Sequence, residues 1–468
     1  MANALVKKTG IYAVGNFASK ITAALIIPIY AWFVAAEALG YYDYFLTLMT
    51  MLAPLCYMAL WEAVLRFTIA ETDAERLDGA VSAVFAMVAG STLFIIAISI
   101  VLCALFPDMR LFVIYVALMT AVYGLAQVWQ YFARSFRRSK LYAASGIIAA
   151  LLNFVSILVL VCAARLQLEG LVISYVISQA AIVILIEGRL RVVRRFDSRR
   201  VDRRLMKKYL AFSCPMAINL LLSAFLAGFG RILVVNCLGA DANGLYAFAM
   251  KFGALVTAVG GIFSMAVIEE AVLRIGKPGH EDFMEKVANS SMLLLLSLAI
   301  VALPLVKLLW PVLAGEEYAS SLAMVPAFLA YGALTVEATV TGNVFNIVNK
   351  THLGALSMLV GCIVTTAFSL VLIEPFGETA VAWSTAAGAL SLLIMRYLIG
   401  RRYVPYRLHL GQATILCAVF AMETWVLSLD WGDSWLLGCL IWSTVAIAFF
   451  APVALKGIKG ISSIKDID

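Results

Sequence analysis

Three basic side chains sit where water should not reach them. Lys20 lies about eleven residues into the first apolar stretch, roughly 16 Å along a helix rising 1.5 Å per residue. Arg231 falls in the outer part of the seventh apolar stretch, and Lys251 lies about seven residues into the eighth, also in its outer half. An intramembrane charge costs roughly 2.5–3.5 kcal/mol on insertion scales, so it marks a functional candidate. Cations in a low-dielectric wall suit an anionic group, above all a phosphate or pyrophosphate. The competing explanation is snorkelling to an interface or pairing with an acid on another helix, which is hardest to apply to Lys20. Arg66 joins them as a weaker candidate, because it ends the second stretch and can serve as an anchor.

The acidic counterparts are Glu62 in the second stretch, Glu337 in the tenth and Glu423 in the thirteenth. Intramembrane carboxylates can relay protons or coordinate sodium, which makes the three ion-coupling candidates, although Glu62 could equally pair with Lys20 or Arg66. Pro28 removes a backbone donor inside the first stretch and is a hinge candidate. The eight cysteines lie in apolar stretches without metal-ligand spacing, and the three histidines are isolated in expected loops. No metal site or catalytic residue is therefore expected. No P-loop or Gly-rich phosphate cradle occurs, so ATP hydrolysis within the chain is not expected either, and no cofactor beyond a proton or sodium gradient is implied.

The elements that must hold these residues are membrane spans. Of 468 residues, 63% are hydrophobic and only 13% charged. About 295 apolar residues, at about 20 per span, allow roughly fourteen helices. Apolar stretches fall at 10–36, 42–65, 80–106, 111–133, 142–164, 170–188, 209–238, 245–271, 288–310, 322–347, 353–373, 379–399, 410–429 and 435–455. The first is long and no small-residue cleavage site follows it, so it reads as a retained helix, not a removed signal peptide. The net charge of +7 is concentrated in loops: residues 189–208 alone hold ten arginines and lysines. Basic loops mark the cytoplasmic side, which accounts for the charge without nucleic acid and leaves both termini inside. The linker could also rest on anionic headgroups. The expected class is an all-α polytopic membrane protein.

The chain also repeats itself. Lys7-Lys8, an apolar span and Gly40-Tyr41-Tyr42-Asp43-Tyr44 are answered by Lys207-Lys208, a span and Gly244-Leu245-Tyr246-Ala247-Phe248. Arg189, Arg194, Arg195 and Phe196 match Arg396, Arg401, Arg402 and Tyr403 at one spacing, and Gly170 matches Gly377 at the same offset. Two parallel six-helix lobes follow, an arrangement used by transporters that hold substrate between the halves. The expected organisation is an N-lobe over 1–188, a basic cytoplasmic linker over 189–208, a C-lobe over 209–407, and two further helices with a cytoplasmic tail over 408–468.

Several segments resemble the polysaccharide-transport branch of the multidrug/oligosaccharidyl-lipid/polysaccharide (MOP) exporter superfamily, the Wzx-like flippases. They are ALGYYDYF after the first span, YFARSFRRSKLYA between the fourth and fifth, EEYASSLAMVPAFLAYG entering the tenth, and NVFNIVNKTHLGALSMLVGCIVTTAFSLVLIEPFGETAVAW through the tenth to twelfth. The resemblance implies a MATE-like fold of fourteen helices, with a cavity lined by spans 1, 2, 7 and 8. It implies that an undecaprenyl-pyrophosphate-linked oligosaccharide, such as an O-antigen, capsule, exopolysaccharide or teichoic-type unit, crosses a bacterial cytoplasmic membrane by alternating access. Lys20, Arg231, Lys251 and Arg66 would then engage the pyrophosphate. Partners would be the polyprenyl-linked glycan, membrane lipids and polysaccharide assembly proteins, with no nucleic acid. The arginine pattern of lipid II flippases is not evident in the first two spans. The alternatives are a cation-coupled multidrug exporter of the same superfamily, a membrane polysaccharide polymerase or ligase, and a non-transporting scaffold. Short outer loops leave little room for the catalytic segment a polymerase needs.

Overall fold

A computed structural model describes residues 22, 25–69, 73–273, 280–348, 350–429 and 435–462. Among these residues the chain is helical and no strand occurs. An apolar chain in lipid must satisfy its backbone within each segment, which leaves the helix as the solution for sequences of this length. The helices are α1 (25–33), α2 (Ala36–Cys56), α3 (Leu60–Thr68), α4 (Ala74–Leu105), α5 (Arg110–Ser135), α6 (Ser139–Ile157) and α7 (Leu168–Leu190). They continue with α8 (Arg203–Leu238), α9 (Ala240–Leu273), α10 (His280–Leu313), α11 (Val325–Ile347), α12 (Thr351–Gly400), α13 (Leu410–Ser428) and α14 (Trp435–Ser462).

Among the described residues, eleven helices are long and apolar enough to cross a membrane, or twelve when α2 and α3 count as one bent span. The 50-residue α12 would run about 75 Å, far beyond a hydrocarbon core of about 30 Å. It is in fact two helices, broken at Gly377 with φ 65° and ψ −151° between two stretches expected as separate spans. Each of the fourteen expected spans is mostly helical over its described residues, with breaks at 34–35 in the first and 57–59 in the second. Large apolar side chains also face outward along them, as with Val371 at 71% exposure and Phe449 at 69%. Such surfaces suit lipid, not water.

Two details depart from the hydropathy reading. The second expected span, 42–65, is bent by 53° between α2 and α3. Pro54 lies one turn before the break, the Ala59 amide reaches back to the Pro54 carbonyl, and Met58 and Ala59 take left-handed φ values of 48° and 46°. The sequence drew attention to Pro28, which lies within α1, whereas the broken helix is at Pro54. Helices also outrun their apolar cores: α8 begins at Arg203, inside the expected linker, and the rest of that linker forms two short 3-10 turns, Val193–Arg195 and Ser198–Arg200. Hydropathy locates the membrane-embedded part of a helix, while hydrogen bonding continues into water. At α4 the start is set by Asp73, whose side chain accepts the Glu75 amide, as an N-cap should.

By contacts the chain forms two compact units, 1–29 with 33–228, and 30–32 with 229–468. The first has a core around Tyr57, Trp61, Val84, Trp129, Phe132 and Tyr209. Gly124 of α5 faces the Tyr57 ring so closely that a Cβ there would lie 2.2 Å from the ring. The second unit contains a core of Phe283, Val287, Val340, Val344 and Tyr406. Within it α9 and α11 approach through Gly253 and Gly332, where a Cβ would meet the Phe328 or Gly253 carbonyl at 2.3 or 2.6 Å. Small residues at membrane-helix crossings permit such approach.

Candidate functional site

In the first unit the bend at Tyr57–Ala59 sets the direction of α3, which carries Glu62 and Arg66. Tyr57 is fully buried, and its hydroxyl lies 3.0 Å from Thr92 Oγ1 and donates to the Ala121 carbonyl at 3.2 Å. One turn after the bend, Glu62 Oε1 accepts the Tyr131 hydroxyl of α5 at 2.8 Å. Arg66 is exposed, with its guanidinium 5.2 Å from the centre of the Phe212 ring. Among the described residues no ion pair joins Glu62 to Arg66, although four-residue spacing allows one. Tyr131 is the partner that sequence could not supply, because the contact spans 69 positions. Lys20 lies outside the described residues, while Pro28 is half-buried in α1.

In the second unit α8 carries Arg231 and α9 carries Lys251. Arg231 Nη2 donates to the Met250 sulfur at 2.8 Å, and the Lys251 ammonium lies 4.6 Å from the centre of the Tyr30 ring. Both cations are half-buried, while Tyr30 is 5% exposed. Thioether and aromatic faces are soft, polarizable neighbours that suit a cation. Met250 immediately precedes Lys251, and the close α9–α11 approach at Gly253 lies two residues further on.

Among the described residues, the two most buried carboxylates are also in this unit. Glu337 of α11 is 2% exposed; its Oε2 accepts the Ser291 hydroxyl of α10 at 2.6 Å, and its Oε1 is buried without a hydrogen-bond partner. Nearby, Arg396 Nη1 of α12 donates to the Ala338 carbonyl at 2.7 Å, and its Nε donates to Ser357 at 3.3 Å. Beyond the helix end, burial pushes the Tyr406 hydroxyl above its ordinary range, and the Glu337 and Tyr397 charges act in the same direction. Glu423 of α13 is 1% exposed, with a buried Oε2 lacking a hydrogen-bond partner. A buried carboxylate oxygen without a donor can take a proton or a cation, the chemistry of ion coupling. Ser291 and Arg396 stood out neither by charge nor by motif as neighbours of Glu337. All eight cysteines are free thiols, and among the described residues no three His, Cys, Asp or Glu side chains converge as a metal site.

The fold extends well beyond this chain. The lipid II flippase MurJ in an inward closed conformation superposes with a TM-score of 0.68 at 12% identity, covering 96% of this chain and 99% of that one. An inward-facing multidrug resistance MATE family transporter of the MOP superfamily gives 0.63 at 14% identity, covering 87% and 99%. A mutant of the Vibrio cholerae MATE transporter VcmN gives 0.57 at 12%, covering 86% and 96%. No curated protein sequence matches the chain. At such identities the likeness establishes a fold and not a substrate. These comparisons and the apolar helices define a multi-pass membrane protein whose fold is that of the MurJ and MATE structures. The model of the polysaccharide biosynthesis protein family matches residues 5–268, more than half the chain, and the protein belongs to that family.

Proposed function

We propose that this protein is a flippase carrying an undecaprenyl-pyrophosphate-linked oligosaccharide across the bacterial cytoplasmic membrane by alternating access, without covalent chemistry. The carrying observation is the Arg231–Lys251 pair on α8 and α9, two cations held in apolar spans by Met250 and Tyr30. Membership of a polysaccharide biosynthesis family and a fold shared with a lipid II flippase support the same substrate class. The pyrophosphate binds the cations, while the polyprenyl tail stays in lipid. Lys20 and Arg66 are further basic candidates for engaging the pyrophosphate. Glu337 and Glu423 are the leading candidates for coupling to a proton or sodium gradient, with Glu62 the third. Both termini are cytoplasmic.

Paired removal of charge provides the test. Arg231→Gln with Lys251→Gln should cut glycan export at least tenfold at unchanged protein level, and should abolish copurification of a pyrophosphate-linked lipid detected by mass spectrometry. Full export by the double variant would refute the assignment. A second reading, a cation-coupled drug exporter, is favoured by the buried Glu337 and Glu423 and by the MATE likeness. Efflux of cationic dyes that depends on those carboxylates, without copurified glycolipid, would establish it instead.

A further inference from the structure

A cavity of about 360 Å³ lies in the first unit, and none of the cations just described lines it. Its wall is formed where α3, α5 and α7 end, at Thr68, Ser135 and Leu190, and where α4 begins, at Leu77. Four arginines line it: Arg137, Arg138, Arg189 and Arg195. Arg137 has a left-handed φ of 56°, forms the turn between α5 and α6, and donates to the Ile69 carbonyl at 3.5 Å. Arg195 lies over the Phe136 ring and pairs with Asp78 at 3.3 Å, but Asp78 is also shared with Arg200 at 3.7 Å. A second acid, Glu187 of α7, accepts the Trp129 indole and the Val193 amide. Among the described residues, Arg137, Arg138 and Arg189 have no carboxylate partner.

Helix ends explain only part of this charge. Arginines near helix C-termini complement a macrodipole worth about half an elementary charge, and three such ends converge here. The first turn of α4 and the start of α6 bring positive ends that offset much of that. Set against Asp78, the four guanidinium groups leave an excess of about three positive charges, which the helix ends reduce by about half a charge. The cavity is not purely polar: Leu77, Phe136 and Leu190 form apolar wall, and Ile69 is 41% exposed at its edge. It lies where the apolar part of three spans ends, at the end that the basic loops assign to the cytoplasm. Headgroups occupy that depth, and basic pockets between membrane helices on this side bind them.

We infer that the cavity lined by Ile69, Phe136, Arg137, Arg138, Arg189 and Arg195 binds the phosphate of an anionic membrane lipid headgroup. The guanidinium groups clasp the phosphate oxygens, and the apolar edge receives the first part of the acyl chains. None of its lining residues belongs to the set proposed to hold the transported substrate.

Native mass spectrometry of the full-length protein, titrated with phosphatidylglycerol, phosphatidylcholine or inorganic pyrophosphate, tests the inference. Phosphatidylglycerol should bind at least about tenfold more tightly than phosphatidylcholine, because each basic residue near anionic lipid contributes about a factor of several. Arg137→Gln, Arg138→Gln and Arg189→Gln together should remove that preference. An equal number of changes elsewhere, Arg203→Gln, Arg204→Gln and Arg402→Gln, should leave it intact. Equal loss in both variants would mean a diffuse field and overturn the site, as would an unchanged preference in the first. Pyrophosphate binding that needs the same arginines, without lipid preference, would overturn the lipid assignment. If the triple variant elutes as aggregate, the single exposed-residue changes Arg138→Gln and Arg189→Gln decide, each with an expected loss of severalfold.

Discussion

Replacing Gly124 with alanine should damage the first unit through one contact. The new Cβ would sit 2.2 Å from Tyr57 Cε2, 2.4 Å from Cδ2 and 2.8 Å from Cζ. Carbon atoms rest at about 3.5–4.0 Å, so the ring must retreat by more than 1 Å to clear the new methyl group. It has little room to do so, because Tyr57 is fully buried and its hydroxyl is placed by Thr92 and the Ala121 carbonyl. Overpacking costs about 1–3 kcal/mol and each displaced hydrogen bond about 1 kcal/mol, for a total of about 3 kcal/mol. Tyr57 also begins the bend into α3, so the damage should reach the Glu62–Tyr131 contact. Thermal inactivation of the purified protein in nanodiscs is the assay, with a shortened half-life at fixed temperature as readout because membrane-protein unfolding is rarely reversible. Combining Gly124→Ala with Tyr57→Ala should cost clearly less than the sum of the single changes, a coupling of about 1 kcal/mol or more. Wild-type stability in Gly124→Ala, or strict additivity in the double variant, would refute the contact.

Gly377→Ala meets no atom within 4 Å, but it forces alanine into φ 65° and ψ −151°. Strain of about 1–3 kcal/mol should therefore appear as a lower thermal midpoint without any cavity or clash, and an unchanged midpoint would contradict the broken-helix geometry. Glu337→Gln keeps the shape and the Ser291 contact but removes an ionisable oxygen. The protein should fold normally, while transport into proteoliposomes loses its dependence on an imposed ion gradient; retained dependence would remove Glu337 from the coupling mechanism.

Much of this architecture is readable along the chain because lipid is an undemanding solvent to predict. Each apolar stretch must be a helix there, so the spans, the break at Gly377 and the basic loops follow from composition and order. Arg231, Lys251, Glu337 and Glu423 stand out for the same reason: charge in an apolar run is expensive wherever the neighbours are. What faces that charge is another matter. Met250 beside Arg231, Tyr30 beneath Lys251 and Ser291 against Glu337 come from rotation and packing of helices, and two of these contacts bridge tens to hundreds of residues. The bend at Pro54 escaped the hydropathy reading because both sides of it are equally apolar. The arginine-lined cavity escaped for a different reason. Arg137, Arg138, Arg189 and Arg195 look like ordinary positive-inside loop charges in one dimension, and only the convergence of three helix ends turns them into a pocket. Sequence therefore determined the membrane fold and its costly charges, because solvent transfer acts residue by residue. Tertiary structure decided which groups meet, because close packing and hydrogen bonding act between residues far apart in the chain.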